Sequence, residues 1–265
     1  MQYIEINIMP IRYLKCDGKT PTIPVYREYG ATTCFKGSGN LLFVGGSHFL
    51  VTAAHCADFG GDGDGQWLHV AGGDDVFAIK RKVLTTRLAD GIQRNHDPVD
   101  FSAVKLLDEE VALLSQRCSF IPEQIMETHR SPKLSPLLSL VGYPADDNRA
   151  EDFLCTVSAN ALNIPVFVNC AYEDNRMRVH PNWYVCLSYD PLNLPVVHDQ
   201  NLVFPEKLHG MSGGAVWRDN CDLWPPTFAG MMIEHDDTHK AVIALSSSAM
   251  LDLLRAWWIP LHEPQ

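Results

Sequence analysis

Apolar and polar residues alternate with a period of two in many short segments of this chain, the pattern of β-strands with one buried face. The alternation begins at Tyr3-Ile4-Glu5-Ile6-Asn7-Ile8, and clusters of Gly, Pro, Asn and Asp separate the later runs. The clearest later runs are 41–44, 49–53, 67–71, 76–84, 101–106, 138–141, 153–157, 183–187, 215–217, 228–233 and 241–245. So many short strands between turns predict β-barrels or a β-sandwich.

Helical patterns are found in two segments. Residues 108–117 are expected to form a helix of one or two turns. The helix is expected to be short because only Val111, Leu113 and Leu114 are apolar. The second helix is expected over 248–259, where Ser248 can cap the first turn and Pro260 ends the helix. Its apolar face, which we expect to dock on the body of the protein, consists of Leu251, Leu254 and Trp258.

The composition is that of a folded chain. Hydrophobic residues make up 46% of the 265 residues, which allows one large or two small domains and excludes intrinsic disorder. The net charge of −11 repels phosphate backbones and anionic lipid surfaces. No apolar run approaches the roughly 18 residues that a membrane span needs. We therefore expect neither nucleic acid nor a membrane as a partner.

The eight cysteines predict neither zinc knuckles nor redox pairs. They lie at positions 16, 34, 56, 118, 155, 170, 186 and 221, and no two of them have Cys-x-x-Cys spacing. We expect no metal and no cofactor. The N-terminus lacks the basic start, the apolar block and the cleavage site of a signal peptide. These features predict a cytoplasmic protein whose cysteines are thiols.

Three short segments carry residues suited to nucleophilic catalysis. His55 follows an apolar run of small residues, and Asp100 opens another apolar run. Ser212 lies in the glycine-rich turn 210–214. Each segment alone is more often structural, because serines among glycines usually form tight turns and aspartates often begin strands. Their occurrence together in one chain favours a catalytic interpretation.

Hydrolysis of an amide by serine needs a base that takes the hydroxyl proton and a third group that holds the base in one tautomer. His55 suits the role of base and acid, because an imidazole titrates near neutral pH. We assign Ser212 as the nucleophile and Asp100 as the orienting group, with Asp97 as the alternative. The backbone N–H groups of Gly210 and Ser212 are the natural donors to a developing oxyanion.

In this chain order, Thr-Ala-Ala-His-Cys, Asp-Phe-Ser-Ala-Val-Lys-Leu and Gly-Met-Ser-Gly-Gly resemble segments of chymotrypsin-fold (trypsin-like) serine peptidases. Segments 37–40 and 141–144 are more similar to bacterial Deg-type and glutamyl-endopeptidase-like members than to digestive trypsins. The resemblance implies an all-β fold of two six-stranded antiparallel β-barrels with a C-terminal α-helix. It also implies a catalytic triad of His55, Asp100 and Ser212 in the cleft between the barrels.

The same resemblance divides the chain into consecutive parts that together make one peptidase domain. The parts are an N-terminal extension or strand (1–33), a first barrel with His55 and Asp100 (34–125), a linker (126–137), a second barrel with Ser212 (138–247), and the C-terminal helix and tail (248–265).

The chain departs from digestive relatives at two places. Those relatives carry an aspartate directly before the serine, where this chain has Met211, so activation through a newly released N-terminus is not expected. They also pair the cysteine after the histidine with a second cysteine, where this chain has Gly39-Asn40-Leu41. We therefore expect Cys56 to be a free thiol.

Substrate preference follows less directly from the resemblance. The residue six before the serine forms the base of the specificity pocket in trypsin, and Glu206 at that place would favour Arg or Lys before the cleaved bond. Glu206 could equally be a solvated loop residue. Met232 and Ile233 are expected beside the substrate and Ala241 at the pocket wall, which would suit an apolar side chain instead.

The sequence therefore predicts an intracellular serine endopeptidase that cleaves a protein or peptide substrate through an acyl-enzyme intermediate. One alternative is a protease that stays latent until a regulatory partner protein binds, as in stress responses or anti-phage defence. Another is a non-catalytic binding protein on a peptidase fold, and an esterase is a third.

Overall fold

The computed structural model describes most of the regular structure of the chain. The described residues are 19–29, 32–57, 68–72, 75–79, 81, 83–86, 97–128, 137–145, 161–169, 171–172, 176, 180, 182–191, 204–218 and 226–258. The alternating runs that we noted at 3–8 and 153–157 lie outside them, as does most of the expected linker.

The first half of the described chain forms a single sheet. Its strands are β1 (Thr22–Tyr29), β2 (Thr32–Val44), β3 (Ser47–Ala53), β4 (Leu68–Gly72), β5 (Asp75–Ile79), β6 (Leu84–Thr85), β7 (Phe101–Lys105) and β8 (Ile121–Pro122). Two short helices accompany the sheet, α1 (Ala54–Ala57) and α2 (Asp108–Ser115). A single 3₁₀ turn follows β8 at Glu123–Ile125.

The first sheet is a curled half-barrel, in agreement with the expected fold of two barrels. Its order is β5-β4-β1-β2-β3-β7-β6, and β8 pairs with β2 in parallel, so the described residues form an open sheet of eight strands. The sheet also begins before residue 34, because β1 pairs with both β2 and β4. The sequence pattern did not reveal β1, since Pro24 interrupts its apolar alternation and a proline usually argues against a strand interior.

The second half of the chain closes into the six-stranded barrel that the resemblance implied. Its strands are β9 (Leu137–Gly142), β10 (Leu162–Val168), β11 (Tyr184–Ser188), β12 (Ala215–Arg218), β13 (Thr227–Asp236) and β14 (Ala241–Ser246). They follow the closed order β10-β11-β14-β13-β12-β9, and all neighbours are antiparallel. Each strand of this closed barrel therefore has a neighbour on both sides over at least part of its length.

The C-terminal helix α3 (Ser247–Trp258) confirms the helix predicted near the end of the chain. It leaves the second barrel and packs back on the first sheet, where the Trp257 ring lies 5.5 Å from Phe101 and the Trp258 ring lies 5.4 Å from Phe49, centroid to centroid. Burying these large apolar rings stabilises the union of the two halves. No described helix is long and apolar enough to cross a membrane.

One continuous apolar core joins the two halves of the molecule. It contains Leu42, Phe49 and Phe101 from the first sheet together with Val141, Ala215 and Phe228 from the second barrel, and α3 adds Leu251 and Leu254. Because these side chains come from both halves, neither half can bury all of its apolar surface alone. The two sheets and α3 therefore form one cooperative structure.

We expect Leu254→Ala to lower the free energy of unfolding by about 2–5 kcal/mol, because it opens a cavity where a fully buried side chain (0% exposed) packs between α3 and the core. Urea unfolding followed by circular dichroism measures the loss. Leu113→Ala on α2 is the matched control, since Leu113 is 52% exposed and its truncation is expected to stay within about 0.5 kcal/mol. Equal losses in the two variants would contradict the packing of α3.

Candidate active site

The pairing of two strands in the first sheet brings His55 and Asp100 together. Strand β3 is antiparallel to β7, and Ala53 lies opposite Phe101. The chain just after β3 must therefore meet the chain just before β7. The Ala54 N–H donates to the Asp100 carbonyl oxygen over 3.0 Å, and the His55 N–H donates to Asp100 Oδ1 over 2.9 Å. The second carboxylate oxygen, Oδ2, lies 2.6 Å from His55 Nδ1.

This contact decides the tautomer and the charge preference of His55. A carboxylate accepts the Nδ1–H and leaves Nε2 with the lone pair that accepts a proton. Burial disfavours the charged ring, but the sulfur of Cys56 and the hydrogen bond to Asp100 outweigh burial and raise the pKa of His55 above its ordinary value of 6.5. Asp100 itself is only 6% exposed, so hydrogen bonds from His55 take the place of water around its carboxylate.

Ser212 lies in a tight turn in which some backbone N–H groups are hydrogen-bonded to described parts of the protein and others are not. The N–H groups of Met211, Gly213 and Gly214 donate to the carbonyl oxygens of Leu208, Met232 and Met211, over 3.0, 2.7 and 2.7 Å. Within the described part of the chain, the N–H groups of Gly210 and Ser212 donate no hydrogen bond. Gly210 has a φ of +82°, the left-handed conformation that glycine adopts at little cost. The turn thus leaves two N–H groups next to the serine for another acceptor.

Strand β2 of the first sheet holds the serine turn of the second barrel. The Ser38 N–H donates to the Ser212 carbonyl oxygen over 2.7 Å, and Ser38 Oγ donates to the Gly210 carbonyl oxygen over 3.1 Å. The side-chain amide of Asn40 donates to the Gly213 carbonyl oxygen over 2.8 Å. Our sequence analysis did not assign Ser38 or Asn40 to the site. The signal was present in Gly37-Ser38-Gly39-Asn40, since glycines inside a strand mark a close approach of backbones.

At two positions where β2 meets the serine turn and the histidine segment, a side chain larger than that of glycine would not fit. A Cβ at Gly213 would lie 1.8 Å from the Ser38 carbonyl oxygen, and Gly213 also has a φ of +85°. A Cβ at Gly37 would lie 2.6 Å from Cys56 Sγ. Gly37 is thus the residue that faces Cys56, which corrects our expectation of Gly39-Asn40-Leu41. The described cysteines Cys34, Cys56, Cys118 and Cys186 are all free thiols, as expected for Cys56.

A cleft of about 450 Å³ brings the three predicted catalytic side chains together. His55, Asp100 and Ser212 all line it, and so do Gly210, Asp97 and the second-barrel residues Met232 and Ile233. Its charged and titratable groups are mixed in sign: Lys36, Arg176, Lys207, His209, Glu234, His235 and Asp237. The Arg176 guanidinium donates to Glu234 over 2.7 Å, so these two charges offset one another.

Two of the four predicted substrate contacts line this cleft. Met232 and Ile233 line it as expected, but Glu206 and Ala241 are not among its described lining residues. Glu206 is exposed, which agrees with the alternative of a solvated loop residue. Ala241 is fully buried within β14, where it pairs with Ser188 and Asp236. The assignment of Glu206 and Ala241 to the substrate pocket stays a prediction based on the resemblance.

One edge of β13 is open towards the cleft. Residues 227–231 pair with β12 and residues 230–236 pair with β14, and the backbone of Met232 is hydrogen-bonded to Gly213 and Gly214 of the serine turn. Beyond Met232, β14 is the sole partner of the strand among the described residues. Residues Ile233 and Glu234 at this open edge line the cleft. Unpaired backbone groups at a strand edge can accept another extended chain.

Two solved structures with a similar fold are proteases of low sequence identity to this chain. A thermostable serine protease, AL20, from an extremophilic microorganism is 15% identical, with 91% of this chain and 98% of that chain covered and a TM-score of 0.51. The active form of the protease Rv3671c from M. tuberculosis is 12% identical, with 97% and 89% covered and a TM-score of 0.53. The fold is chymotrypsin-like.

A human structure extends the comparison beyond microbial proteins. Human heparin binding protein is 10% identical, with 91% of this chain and 93% of that chain covered and a TM-score of 0.51. No protein-family model matches the sequence, and no curated protein is significantly similar to it. At these identities the likeness establishes the fold, so the chemistry of this chain must be argued from its own residues.

We expect the ring of His55 to titrate above pH 6.5 and that of His48 to titrate below it, because burial lowers the pKa of His48. Asp100→Asn is expected to lower the pKa of His55, since an amide cannot offset the charge of the imidazolium. Proton NMR titration of the histidine rings measures both values, and His48 serves as the internal control. An unchanged pKa of His55 in Asp100→Asn would contradict the role of this contact.

Proposed function

We propose that this protein is a serine endopeptidase that cleaves peptide bonds with His55, Asp100 and Ser212 as its catalytic triad. The observation that carries the proposal is the short contact between His55 Nδ1 and Asp100, 2.6 Å, in the same cleft as Ser212. A base oriented by a buried carboxylate beside a serine is the arrangement that activates a hydroxyl nucleophile.

In the first step the Ser212 hydroxyl oxygen attacks the carbonyl carbon of the substrate, and His55 Nε2 takes the hydroxyl proton. The carbonyl π electrons move to the oxygen, which becomes an oxyanion. Asp100 keeps the Nδ1–H on the far side of the ring and stabilises the imidazolium that forms. General-base catalysis of this kind is worth roughly 10²–10⁴ in rate.

The N–H groups of Gly210 and Ser212 are proposed to stabilise the oxyanion. Neither N–H donates to an acceptor among the described residues, and this supports the role because donors already in place need no rearrangement when charge develops. Each donor in such a site typically contributes about 10²–10³ in turnover.

Two further steps complete the reaction. The tetrahedral intermediate collapses, the carbon–nitrogen bond breaks, and His55 Nε2 returns its proton to the leaving amine, which leaves an ester between the acyl group and Ser212. Water then attacks the ester while His55 takes its proton. The proton passes to Ser212 Oγ as the acid leaves, so the enzyme returns to its starting state.

The substrate is proposed to be an extended peptide or protein segment. It would pair with the open edge of β13 beside Ile233 and Glu234, where backbone hydrogen bonds hold a chain regardless of its sequence. A preference for Arg or Lys through Glu206 has no support from the cleft, because Glu206 is exposed and outside it. The mixed charges of the cleft favour neither acidic nor basic substrates.

Action inside the cell remains part of the proposal. The free thiols among the described cysteines support a reducing compartment, where thiols persist. We keep the Deg-type or glutamyl-endopeptidase-like subtype as a proposal based on the sequence segments alone. The alternative is a latent protease that a regulatory partner protein activates. The following experiment distinguishes the two.

We expect a fluorophosphonate probe to label Ser212, and Ser212→Ala to abolish labelling and to lower peptide cleavage by about 10⁶-fold, because the nucleophile is lost. Mass spectrometry of the labelled protein and a fluorogenic peptide library measure the two effects. Ser115→Ala on α2 is the control, since Ser115 lies outside the cleft and both activities should persist.

Undiminished cleavage by Ser212→Ala would refute the proposed nucleophile. A serine that the probe does not label in the folded wild-type protein would favour the non-catalytic alternative. A serine that reacts only after a cell extract is added would favour a latent protease. Cleavage of esters without cleavage of amides would favour an esterase.

We expect Gly210→Ala to lower kcat by roughly 10²–10³, the cost of losing one oxyanion donor. A Cβ at this position would lie 2.5 Å from a Phe35 ring carbon and 2.8 Å from the Tyr143 carbonyl oxygen, so the turn must move. Gly46→Ala is the matched control, because Gly46 has a similar φ of +74° but open space around its Cβ position. Equal loss of activity in both variants would indicate general backbone strain instead.

A further inference from the structure

Asp100 adopts a left-handed backbone conformation, which aspartate tolerates better than most residues but which still needs support from its surroundings. Its φ is +45°, in the left-handed region where residues other than glycine are uncommon. Such a conformation persists only where the surrounding structure holds it, and residues of this kind cluster at functional sites. The segment around Asp100 must therefore contain the groups that hold this conformation.

Asp97 stabilises the turn that leads into Asp100. Its side chain is buried, with the residue 5% exposed. Oδ1 accepts the Val99 N–H over 3.0 Å, and Oδ2 accepts the Thr86 hydroxyl over 2.6 Å. One carboxylate thus fixes the residue before Asp100 and ties the turn to Thr86, at the end of β6.

Thr86 fixes the residue on the other side of Asp100. Its hydroxyl oxygen accepts the Phe101 N–H over 3.2 Å, and its own N–H donates to the Phe101 carbonyl oxygen over 2.9 Å. The single hydroxyl of Thr86 therefore donates to Asp97 and accepts from Phe101. It closes a ring of hydrogen bonds around Asp100.

The second barrel also holds this turn. The Tyr184 hydroxyl, from β11, donates to the Pro98 carbonyl oxygen over 2.7 Å. The turn 97–100 is thereby fixed from both halves of the molecule, and the half that carries Ser212 contributes to the placement of Asp100.

We propose that Thr86 and Asp97 are positioning residues that hold Asp100 in the geometry in which it orients His55. The proposal rests on the function proposed above and extends it to two residues that do not contact the substrate. Asp97 is thus a support for Asp100 rather than the alternative partner of His55, because His55 Nδ1 contacts Asp100 while the oxygens of Asp97 accept from Thr86 and Val99.

The test must separate positioning from charge. Asp97 lines the same cleft as His55, so removing its negative charge would lower the pKa of His55 without any change of geometry. Thr86→Val removes the hydroxyl and leaves every charge of the cleft in place: Lys36, Asp97, Asp100, Arg176, Lys207, Glu234 and Asp237. Thr85→Val, the same substitution one residue earlier on β6, is the matched control.

We expect Thr86→Val to lower the pKa of His55 in proton NMR titration towards its value in Asp100→Asn. We expect kcat/KM to fall by up to about 100-fold, the cost of a misplacement of about 1 Å in the catalytic geometry. Thr86→Ser, which keeps the hydroxyl, should retain the wild-type values, and Thr85→Val should change neither. In an Asp100→Asn background, Thr86→Val should add no further change, because both substitutions remove the same effect.

An unchanged His55 titration in folded Thr86→Val would overturn the proposal, and so would a full additional change in the Asp100→Asn background. If Thr86→Val does not fold, Asp97→Asn takes its place in the same double-variant comparison. A charge effect of Asp97 would persist in the Asp100→Asn background, whereas a positioning effect would vanish. The titration needs no proteolysis, so it tests this proposal even if Ser212 proves unreactive.

Discussion

The approach of two backbones, at Ser38 of the first sheet and Gly213 of the second barrel, constrains the rest of the structure. No side-chain atom fits between them, because a Cβ at position 213 would lie 1.8 Å from the Ser38 carbonyl oxygen. Hydrogen bonds from Ser38 and Asn40 to the serine turn then hold the two halves at this separation. Buried hydrogen bonds of this kind are costly to leave unmade, so the register between the halves is strongly specified.

The site depends on this register because each half supplies only part of it. The first sheet places His55 and Asp100 through the pairing of β3 with β7, and the second barrel supplies the turn of Ser212. A shift of one half by a single residue would separate His55 from Ser212. The shared apolar core and the return of α3 to the first sheet oppose such a shift, since it would expose large rings to water.

The sequence was informative where local patterns decide the structure. The period-two runs predicted most of the strands, and the Ser248 and Pro260 signals predicted α3 to within about one residue at each end. Strands with weak alternation escaped, among them β1 and β10, which contain Pro24 and Pro165. The position of Glu206 and the role of Ser38 depend on how loops and strands from distant parts of the chain meet. Such contacts leave little trace in the local pattern, except for the glycines that permit them.

The close contact between Gly37 and Cys56 links three segments around the site. Cys56 follows His55 directly, and its sulfur lies 3.4 Å from the Lys36 carbonyl oxygen and 3.9 Å from that of Ser212. Here the strand and the histidine segment meet through the close fit of Gly37 against Cys56 and through the contacts of the thiol with these two carbonyl oxygens. The thiol of Cys56 thus joins the backbone of β2 to that of the serine turn, and a larger side chain at position 37 would push these three segments apart.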